Sequence, residues 1–343
     1  MISLLLLLLL PLSQVALGAK LVPASPASTK DYEPFGGKDS SILQSPADWN
    51  RNTFPIPVHS HNDYERVVPV LEALSYGVRS MESDVWLNPD DNRLYVGHDP
   101  FSLSRQRTFQ SLTVKPLLQA LEQANSANSI LRSESEEANF FSNLQRSVST
   151  NTSNPWNGYY SLGVGSGAPI QLLIDVKTDG ETTWPYVVKE LEPLRKRGWL
   201  TRYENGRIIP GPILVIGTGN TPIDQVAPLQ ERDYFFDAPL SNLSSSFVDS
   251  KGETYEWNST LSPLASVDFE LVVPGYRGIQ EPSDQVISNL SQIIDLAHQK
   301  GIQTRFWDTP NWPIFARERV NTLLLSLGSD WINADDLESL SKF

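Results

Sequence analysis

Three short motifs near the start of this 343-residue chain combine histidine with acidic residues. They are His61-Asn62-Asp63-Tyr64, Glu82-Ser83-Asp84-Val85 and Gly97-His98-Asp99. The chain has four histidines, and two of them fall in these motifs. An imidazole titrates near neutral pH, so His61 and His98 are able to divide two proton transfers between them. Such a pair suits the cleavage of a phosphodiester, in which one group takes a proton from the attacking hydroxyl and another gives one to the leaving oxygen.

The acidic residues of this region are spaced to act together. Glu82 and Asp84 lie two apart in a strand-like run, as do Asp175 and Lys177 in a later one, so each pair projects to one side of its strand. Three converging carboxylates repel each other unless a cation lies between them. An oxygen-rich set in a chain without cysteine favours Mg²⁺ or Ca²⁺ over zinc. Lys177 adds a positive charge for a phosphate.

Each feature has a simpler interpretation when it is taken alone. Carboxylates at strand ends are usually solvated, and an exposed Asp-Lys pair contributes little to stability. We assign His59 and His298 structural roles; His298 precedes Lys300-Gly301 in a helical segment, where an imidazolium suits a helix C-terminus. A lone tryptophan such as Trp307 is more often core than ligand platform. One phosphodiester site accounts for all the pieces together, which favours it.

Apolar runs of strand type alternate with helical patterns along the chain. The predicted strands are 54–59, 78–86, 170–176, 212–216, 233–236, 265–270, 302–307 and 330–333. The predicted helices are 67–76, 114–124, 182–197, a weak one at 221–229, 283–299 and 313–327. Repeated strand-helix units predict an α/β fold with a parallel sheet, and eight of them favour a closed (β/α)8 TIM barrel. A doubly wound open sheet is the alternative.

Two segments depart from this alternation. The turn formers Asn88-Pro89-Asp90-Asp91-Asn92 predict a hairpin over 85–97, which would carry His98 over the mouth of the barrel. Residues 125–168 are rich in Ser, Asn and Gly, and we interpret them as a long surface insertion.

The N-terminus predicts a secreted or vacuolar protein. Residues 1–18 carry a leucine run and a small-x-small pattern typical of a signal peptide, and 19–50 form a polar segment. Four N-x-Ser/Thr sequons suit a glycosylating compartment; they begin at Asn151, Asn242, Asn258 and Asn289. No later segment has the roughly 18 uncharged residues of a transmembrane anchor. The net charge of −13 argues against a nucleic-acid partner and against attraction to anionic membranes.

The motif order resembles that of the phospholipase C-like phosphodiesterase superfamily, which includes glycerophosphodiester phosphodiesterases and spider sphingomyelinase D enzymes. The closer resemblance is to the fungal altered inheritance of mitochondria protein 6 family. It spans about residue 54 to 340 and rests on HNDY, ESDVW, VGHD, LLIDVKT, RFWDTPN and DWINADDL. The mitochondrial wording does not indicate localisation, because the leader lacks the arginines of a transit peptide.

This resemblance implies a role for each matching residue. His61 and His98 would be the catalytic pair, with Lys177 joining the catalytic set as the cation that binds phosphate. The metal ligands would be Glu82, Asp84 and Asp175. Asn62 and Trp307 would contact substrate.

One position departs from the family pattern. Glycerophosphodiester phosphodiesterases usually follow the first histidine with arginine, and here Asn62 stands there. An arginine would bind a phosphate through two parallel hydrogen bonds, which asparagine cannot reproduce. The substitution puts a glycerophosphodiester substrate in question, though not the reaction class. An aromatic wall from Trp307 then favours a phosphodiester with a neutral or cationic head group such as choline.

Three functions remain open on the sequence. The first is a metal-dependent phosphoric diester hydrolase, or a lyase that releases a cyclic phosphate, acting on a small-molecule or lipid phosphodiester such as a phospholipid or a glycerophosphodiester. The second is a retaining glycosidase that uses Glu82 and Asp175. The third is a secreted binding protein that keeps the barrel without turnover. The oligomeric state is open.

Overall fold

The computed structural model describes residues 53–125, 158–160 and 169–342. The expected signal peptide and the polar segment up to residue 50 lie outside these ranges, as does most of the expected insertion at 125–168. No helix within the described ranges is long and apolar enough to cross a membrane.

Eight parallel strands form a closed barrel. We number them β1 to β8: Ile56–Ser60, Val78–Asn88, Ile170–Val176, Ile213–Gly219, Phe235–Pro239, Leu264–Asp268, Gln303–Trp307 and Trp331–Ala334. Each strand pairs with the next in chain order, and β1 pairs with both β8 and β2, which closes the sheet. The predicted (β/α)8 TIM barrel is therefore confirmed, and an open doubly wound sheet is excluded.

Helices cover the outside of the barrel. We number them α1 to α8: Leu71–Ser75, Lys115–Asn125, Gly180–Glu190, Glu192–Lys196, Phe269–Val272, Asp284–Gln299, Ile314–Ser326 and Leu337–Leu340. Short 3-10 turns span Asp63–Glu65, Pro100–Ser102, Ile223–Gln225 and Leu240–Asn242, and a π-helical turn, Gln110–Val114, leads into α2. Short two-stranded ribbons pair Arg202–Glu204 with Arg207–Ile209 and Phe247–Val248 with Thr254–Tyr255.

Several predicted elements differ from the structure. The helix predicted over 182–197 is divided into α3 and α4, and the one predicted over 67–76 is limited to α1. The helix expected over 221–229 is only the 3-10 turn Ile223–Gln225, because Pro222 and Pro228 flank the segment and restrict the backbone on either side. The strand expected over 265–270 ends at Asp268, where α5 begins. The Asp268 carboxylate accepts a hydrogen bond from the Glu270 amide at 2.8 Å and caps that helix.

The predicted hairpin over 85–97 is present. Arg93–Val96 pairs antiparallel with the far end of β2, from Val85 opposite Val96 to Asn88 opposite Arg93. The hairpin extends β2 beyond the barrel, and its return strand delivers His98 to the mouth.

Side chains that alternate along the strands fill the barrel. Leu173, Ile216, Phe235, Leu264 and Trp331 form a buried cluster separate from the larger core that includes the helices. Because residues two apart share one side of a strand, Asp175 faces the same side as Leu173, one layer nearer the C-terminal ends of the strands. The barrel interior is thus apolar in its lower layers, towards the N-terminal ends of the strands, and acidic at the mouth, where the strands end.

Candidate active site

Three carboxylates meet where β2 and β3 end. The register of the two strands sets Asp84 beside Asp175, and Glu82 lies two residues earlier on the same side of β2. One oxygen from each lies within 4.8 Å of the others. This cluster is able to hold a metal ion, and it consists of the three residues that the sequence proposed as ligands.

Asp84 shows best how these residues suit a cation. Its side chain is almost fully buried, and its Oδ1 atom accepts no hydrogen bond from any described residue. Burial and the negative charge of Glu82 raise the pKa of Asp84 to about 7. A divalent cation would supply both the missing partner and the missing charge, so the donor set fits Mg²⁺ or Ca²⁺.

The backbone of β4 supports Asp175. A Cβ atom added to Gly219 would lie 1.9 Å from Oδ1 of Asp175, so a side chain there would displace the carboxylate. Gly219 also has φ +61°, a conformation that glycine adopts without strain.

Glu82 has a different environment from Asp84. Burial alone would raise the pKa of Glu82, but the guanidinium of Arg305 at 3.6 Å and the ring of His59 at 3.5 Å hold it well below its usual range. Glu82 therefore carries its negative charge at neutral pH.

Lys177 links the other two carboxylates. Its Nζ lies 3.0 Å from Oδ2 of Asp84 and 2.6 Å from Oδ2 of Asp175. Burial would lower the pKa of Lys177, and the two carboxylates outweigh that effect and raise it. The ammonium is thus charged and lies beside the cluster.

His61 lies on the opposite side of the cluster. Its Nδ1 is 2.8 Å from Oδ1 of Asp335, and its Nε2 is 3.8 Å from Oε2 of Glu82. Burial would lower the pKa of His61, but the hydrogen bond to Asp335 and the charges of Glu82 and Asp335 raise it above 6.5.

Asn62 forms the turn that follows β1. It has φ 49°, a left-handed conformation that asparagine tolerates better than most residues. The backbone N–H of Asn62 donates to Oε2 of Glu82 at 3.3 Å, and the side-chain Oδ1 of Asn62 accepts from the Tyr64 hydroxyl at 2.7 Å. Within the described residues these contacts give Asn62 a part in positioning Glu82; contact with substrate stays a prediction.

His98 reaches the site from the end of the hairpin. It is 63 % exposed, and its Nδ1 lies 3.9 Å from Oδ2 of Asp84. The neighbouring Asp99 accepts hydrogen bonds from the amides of Phe101 and Ser102, which holds the loop in a 3-10 turn. His98 is thus the solvent-facing imidazole of the site, and His61 is the more enclosed one.

The other two histidines have partners that suit structural roles. His59 is fully buried, with Nδ1 2.7 Å from the hydroxyl of Ser80, and burial lowers its pKa to about 3. It is therefore neutral at physiological pH. His298 lies in the last turn of α6, 2.8 Å from Asp330, which directly precedes β8 at the end of the barrel opposite the mouth.

Trp307 lies at the end of β7, on the other side of the mouth. It is 40 % exposed and lines a pocket of about 460 Å³ together with the rings of Phe236, Phe247 and Trp257. The structure thus places Trp307 in an aromatic pocket and not among the carboxylates; its contact with substrate stays a prediction.

Sequence reasoning gave no role to Arg305, Asp335 or Asp237. Arg305 donates to Oδ1 of Asn333 at 3.0 Å and faces Glu82, while Asp237 lies in the wall of the pocket. Asp335 directly follows β8, and Asp237 and Arg305 each lie two residues before the C-terminal end of their strand. Their positions near the C-terminal ends of predicted strands could have marked them as candidates, because the active sites of this fold lie at those ends.

Residues 47–150 and 140–237 match the model of the AIM6-like phosphodiesterase domain. The chain is 36 % identical over 337 residues to an altered inheritance of mitochondria protein 6 homolog from Arthroderma benhamiae, covering 95 % of this chain and 96 % of that protein. The chain belongs to the altered inheritance of mitochondria protein 6 family.

Two further members show how far this family similarity extends. Altered inheritance of mitochondria protein 6 of Saccharomyces cerevisiae is 31 % identical over 328 residues, or 91 % of this chain and 75 % of the relative. That of Eremothecium gossypii is 30 % identical over 296 residues, or 83 % and 69 %. The matched phosphodiesterase domain includes β1 to β4 and the first part of β5, and so holds His61, His98 and all three carboxylates of the cluster.

Proposed function

We propose that this protein is a metal-dependent phosphoric diester hydrolase, or a lyase that releases a cyclic phosphate by intramolecular attack. The observation that carries the proposal is the cluster of Glu82, Asp84 and Asp175, with an orphaned buried oxygen on Asp84. His61 and His98 flank that cluster. The match to a phosphodiesterase domain supports the same reaction class.

The three carboxylates would hold Mg²⁺ or Ca²⁺, which when bound neutralises charge on the non-bridging oxygens of the phosphate. Lys177 contributes a further positive charge beside that position. Its ammonium is oriented by Asp84 and Asp175, so it can attract a phosphate oxygen without a large rearrangement.

The two histidines divide the proton transfers. His61 accepts a proton from the attacking hydroxyl at Nε2, because Asp335 takes the hydrogen on Nδ1. His98 gives a proton to the leaving oxygen from the open side of the mouth. Water as the attacking group yields hydrolysis, and a hydroxyl of the substrate itself yields a cyclic phosphate.

The geometry disfavours a glycosidase. A retaining enzyme needs one carboxyl of raised pKa as general acid. Arg305 and His59 hold the pKa of Glu82 well below its usual range, and Lys177 ion-pairs with Asp175 at 2.6 Å. Glu82 is therefore not suited to act as the acid, and Asp175 is occupied by its ion pair with Lys177.

Turnover of phosphodiesters under controlled metal supply tests the proposal. Purified protein is assayed against glycerophosphodiesters, phospholipids and nitrophenyl phosphodiesters with Mg²⁺, with Ca²⁺ and with a chelator. We expect activity that the chelator abolishes and added metal restores. Absence of turnover across the panel, with metal bound, would favour the alternative of a binding protein on the same barrel.

A further inference from the structure

The pocket beside Trp307 lies over the half of the barrel mouth that the carboxylate cluster leaves free. The strands β4 to β7 contribute Thr218, Asp237, Ser266 and Trp307 to its wall. The ribbon after β5 covers it with Phe247, whose ring lies 4.4 Å from that of Trp257. The mouth is thus divided into a charged half and an aromatic half.

The two halves share a border. Asp175 of the carboxylate cluster lies beside Thr218 in the register of β3 and β4. The hydroxyl of Thr218 donates to Oδ2 of Asp237 at 3.1 Å. A ligand whose phosphate lies at the cluster would therefore place its next group near Asp237.

Asp237 is the single charged residue among those described that line the pocket. None of these residues is a lysine or arginine; the nearby Arg305, which acts on Asp237 through its charge, is itself bound to Asn333 and faces Glu82. Burial raises the pKa of Asp237 to about 7, and a cation beside it would favour the charged carboxylate.

The rest of the lining decides between possible ligands. Beyond Asp237, its polar side-chain groups are the hydroxyls of Thr218 and Ser266 and the indole N–H groups of Trp257 and Trp307; the remainder is apolar. A sugar or polyol requires several hydrogen-bonding partners, and an anionic group requires a positive charge. An alkylammonium requires neither, because ring faces and one carboxylate satisfy it.

We propose that this pocket binds an alkylammonium group of the substrate, with Asp237 as the residue that selects for positive charge. This inference rests on the proposed phosphodiesterase function and names its substrate class, a phosphodiester with a quaternary or primary ammonium substituent. The carboxylate cluster holds the phosphate, while Asp237 and the exposed ring of Trp307 hold the cation.

Calorimetric titration of the full chain with two matched probes tests this assignment without turnover. The probes are choline and 3,3-dimethyl-1-butanol, its neutral carbon isostere. We expect choline to bind about tenfold or more tightly than the isostere, and Asp237→Asn to remove that preference. Asp295→Asn makes the same charge change on the exposed face of α6 and should leave the preference for choline unchanged.

The comparison of probes on unmodified protein keeps the test decisive even if Asp237→Asn does not fold. Equal binding of choline and the isostere, or no binding of choline by a protein that cleaves phosphodiesters, would overturn the pocket assignment and leave the proposed function standing. Charge-selective binding of choline by a protein that cleaves no phosphodiester would support the pocket and overturn the function.

Discussion

The carboxylate of Asp335 lies 2.8 Å from Nδ1 of His61, which leaves Nε2 of the same ring 3.8 Å from Glu82. A carboxylate accepts hydrogen bonds, so the hydrogen of the neutral ring resides on Nδ1. Nε2 then carries a free lone pair and faces the carboxylate cluster. Asn311 holds the other oxygen of Asp335 at 2.7 Å, so the pair is fixed in orientation.

The first prediction concerns Asp335→Asn. Asp335 raises the pKa of His61, so its loss should lower that pKa. A general base must be unprotonated, and the acidic limb of the pH profile of kcat/KM should therefore move to lower pH. Turnover at the optimum should fall about tenfold or more, because the ring loses its orienting partner. Steady-state kinetics across the pH range measure both effects.

A shift of the alkaline limb in Asp335→Asn would instead make His61 the acid. An unchanged profile would remove Asp335 from the proton-transfer path. Asp330→Asn is a useful control. Asp330 also lies 2.8 Å from a histidine, His298, but that pair is not part of the site. This variant should leave the pH profile unchanged.

The second prediction is that Asp84→Asn abolishes binding of Mg²⁺ and Ca²⁺ and abolishes activity, while the protein stays folded. Asn keeps the shape of the side chain but loses the charge that a divalent cation needs. Calorimetric titration with each ion measures the loss, and thermal unfolding checks the fold. Equal binding by the unmodified protein and the variant would exclude Asp84 as a ligand.

The third prediction concerns the pH dependence of metal binding. The pKa of Asp84 in the metal-free protein is about 7, so below that pH a proton competes with the cation. Affinity should fall about tenfold for each pH unit below 7, and binding should release about one proton there. Calorimetry in buffers of different ionisation enthalpy counts that proton. Affinity that does not change with pH in this range would contradict it.

The same shift has a consequence for stability. The folded-state pKa of Asp84 lies above its unfolded value, so the neutral carboxyl stabilises the metal-free fold at low pH. That contribution is lost as the pH rises through about 7. Asp84→Asn should therefore unfold at a higher temperature than the unmodified metal-free protein above that pH.

The fourth prediction separates the two histidines. His61→Ala and His98→Ala should each lower kcat by at least about 10²-fold, while His298→Ala should have almost no effect. A substrate with p-nitrophenol as leaving group needs little protonation, so it should restore turnover only to the variant that lacks the acid, which we expect to be His98→Ala. Restoration of both variants, or of neither, would contradict a division of roles.

The sequence by itself determined the barrel and the members of the carboxylate cluster. Strands such as Ile170–Val176 are almost wholly buried and are predominantly apolar in sequence, so their number and order are visible without a structure. Residues two apart face one side, and strand ends converge at one mouth. That rule was enough to group Glu82, Asp84 and Asp175.

The tertiary structure alone decided which distant residues complete the site. Asp335 lies 274 positions from His61, and their contact exists because β1 pairs with β8 when the barrel closes. The pocket of Asp237 likewise depends on the ribbon after β5, which folds back over strand ends that the chain reaches much later. Local patterns fix which side of a strand a residue faces, but barrel closure sets which strand ends become neighbours. Partners that are joined only by closure have no local pattern to indicate them.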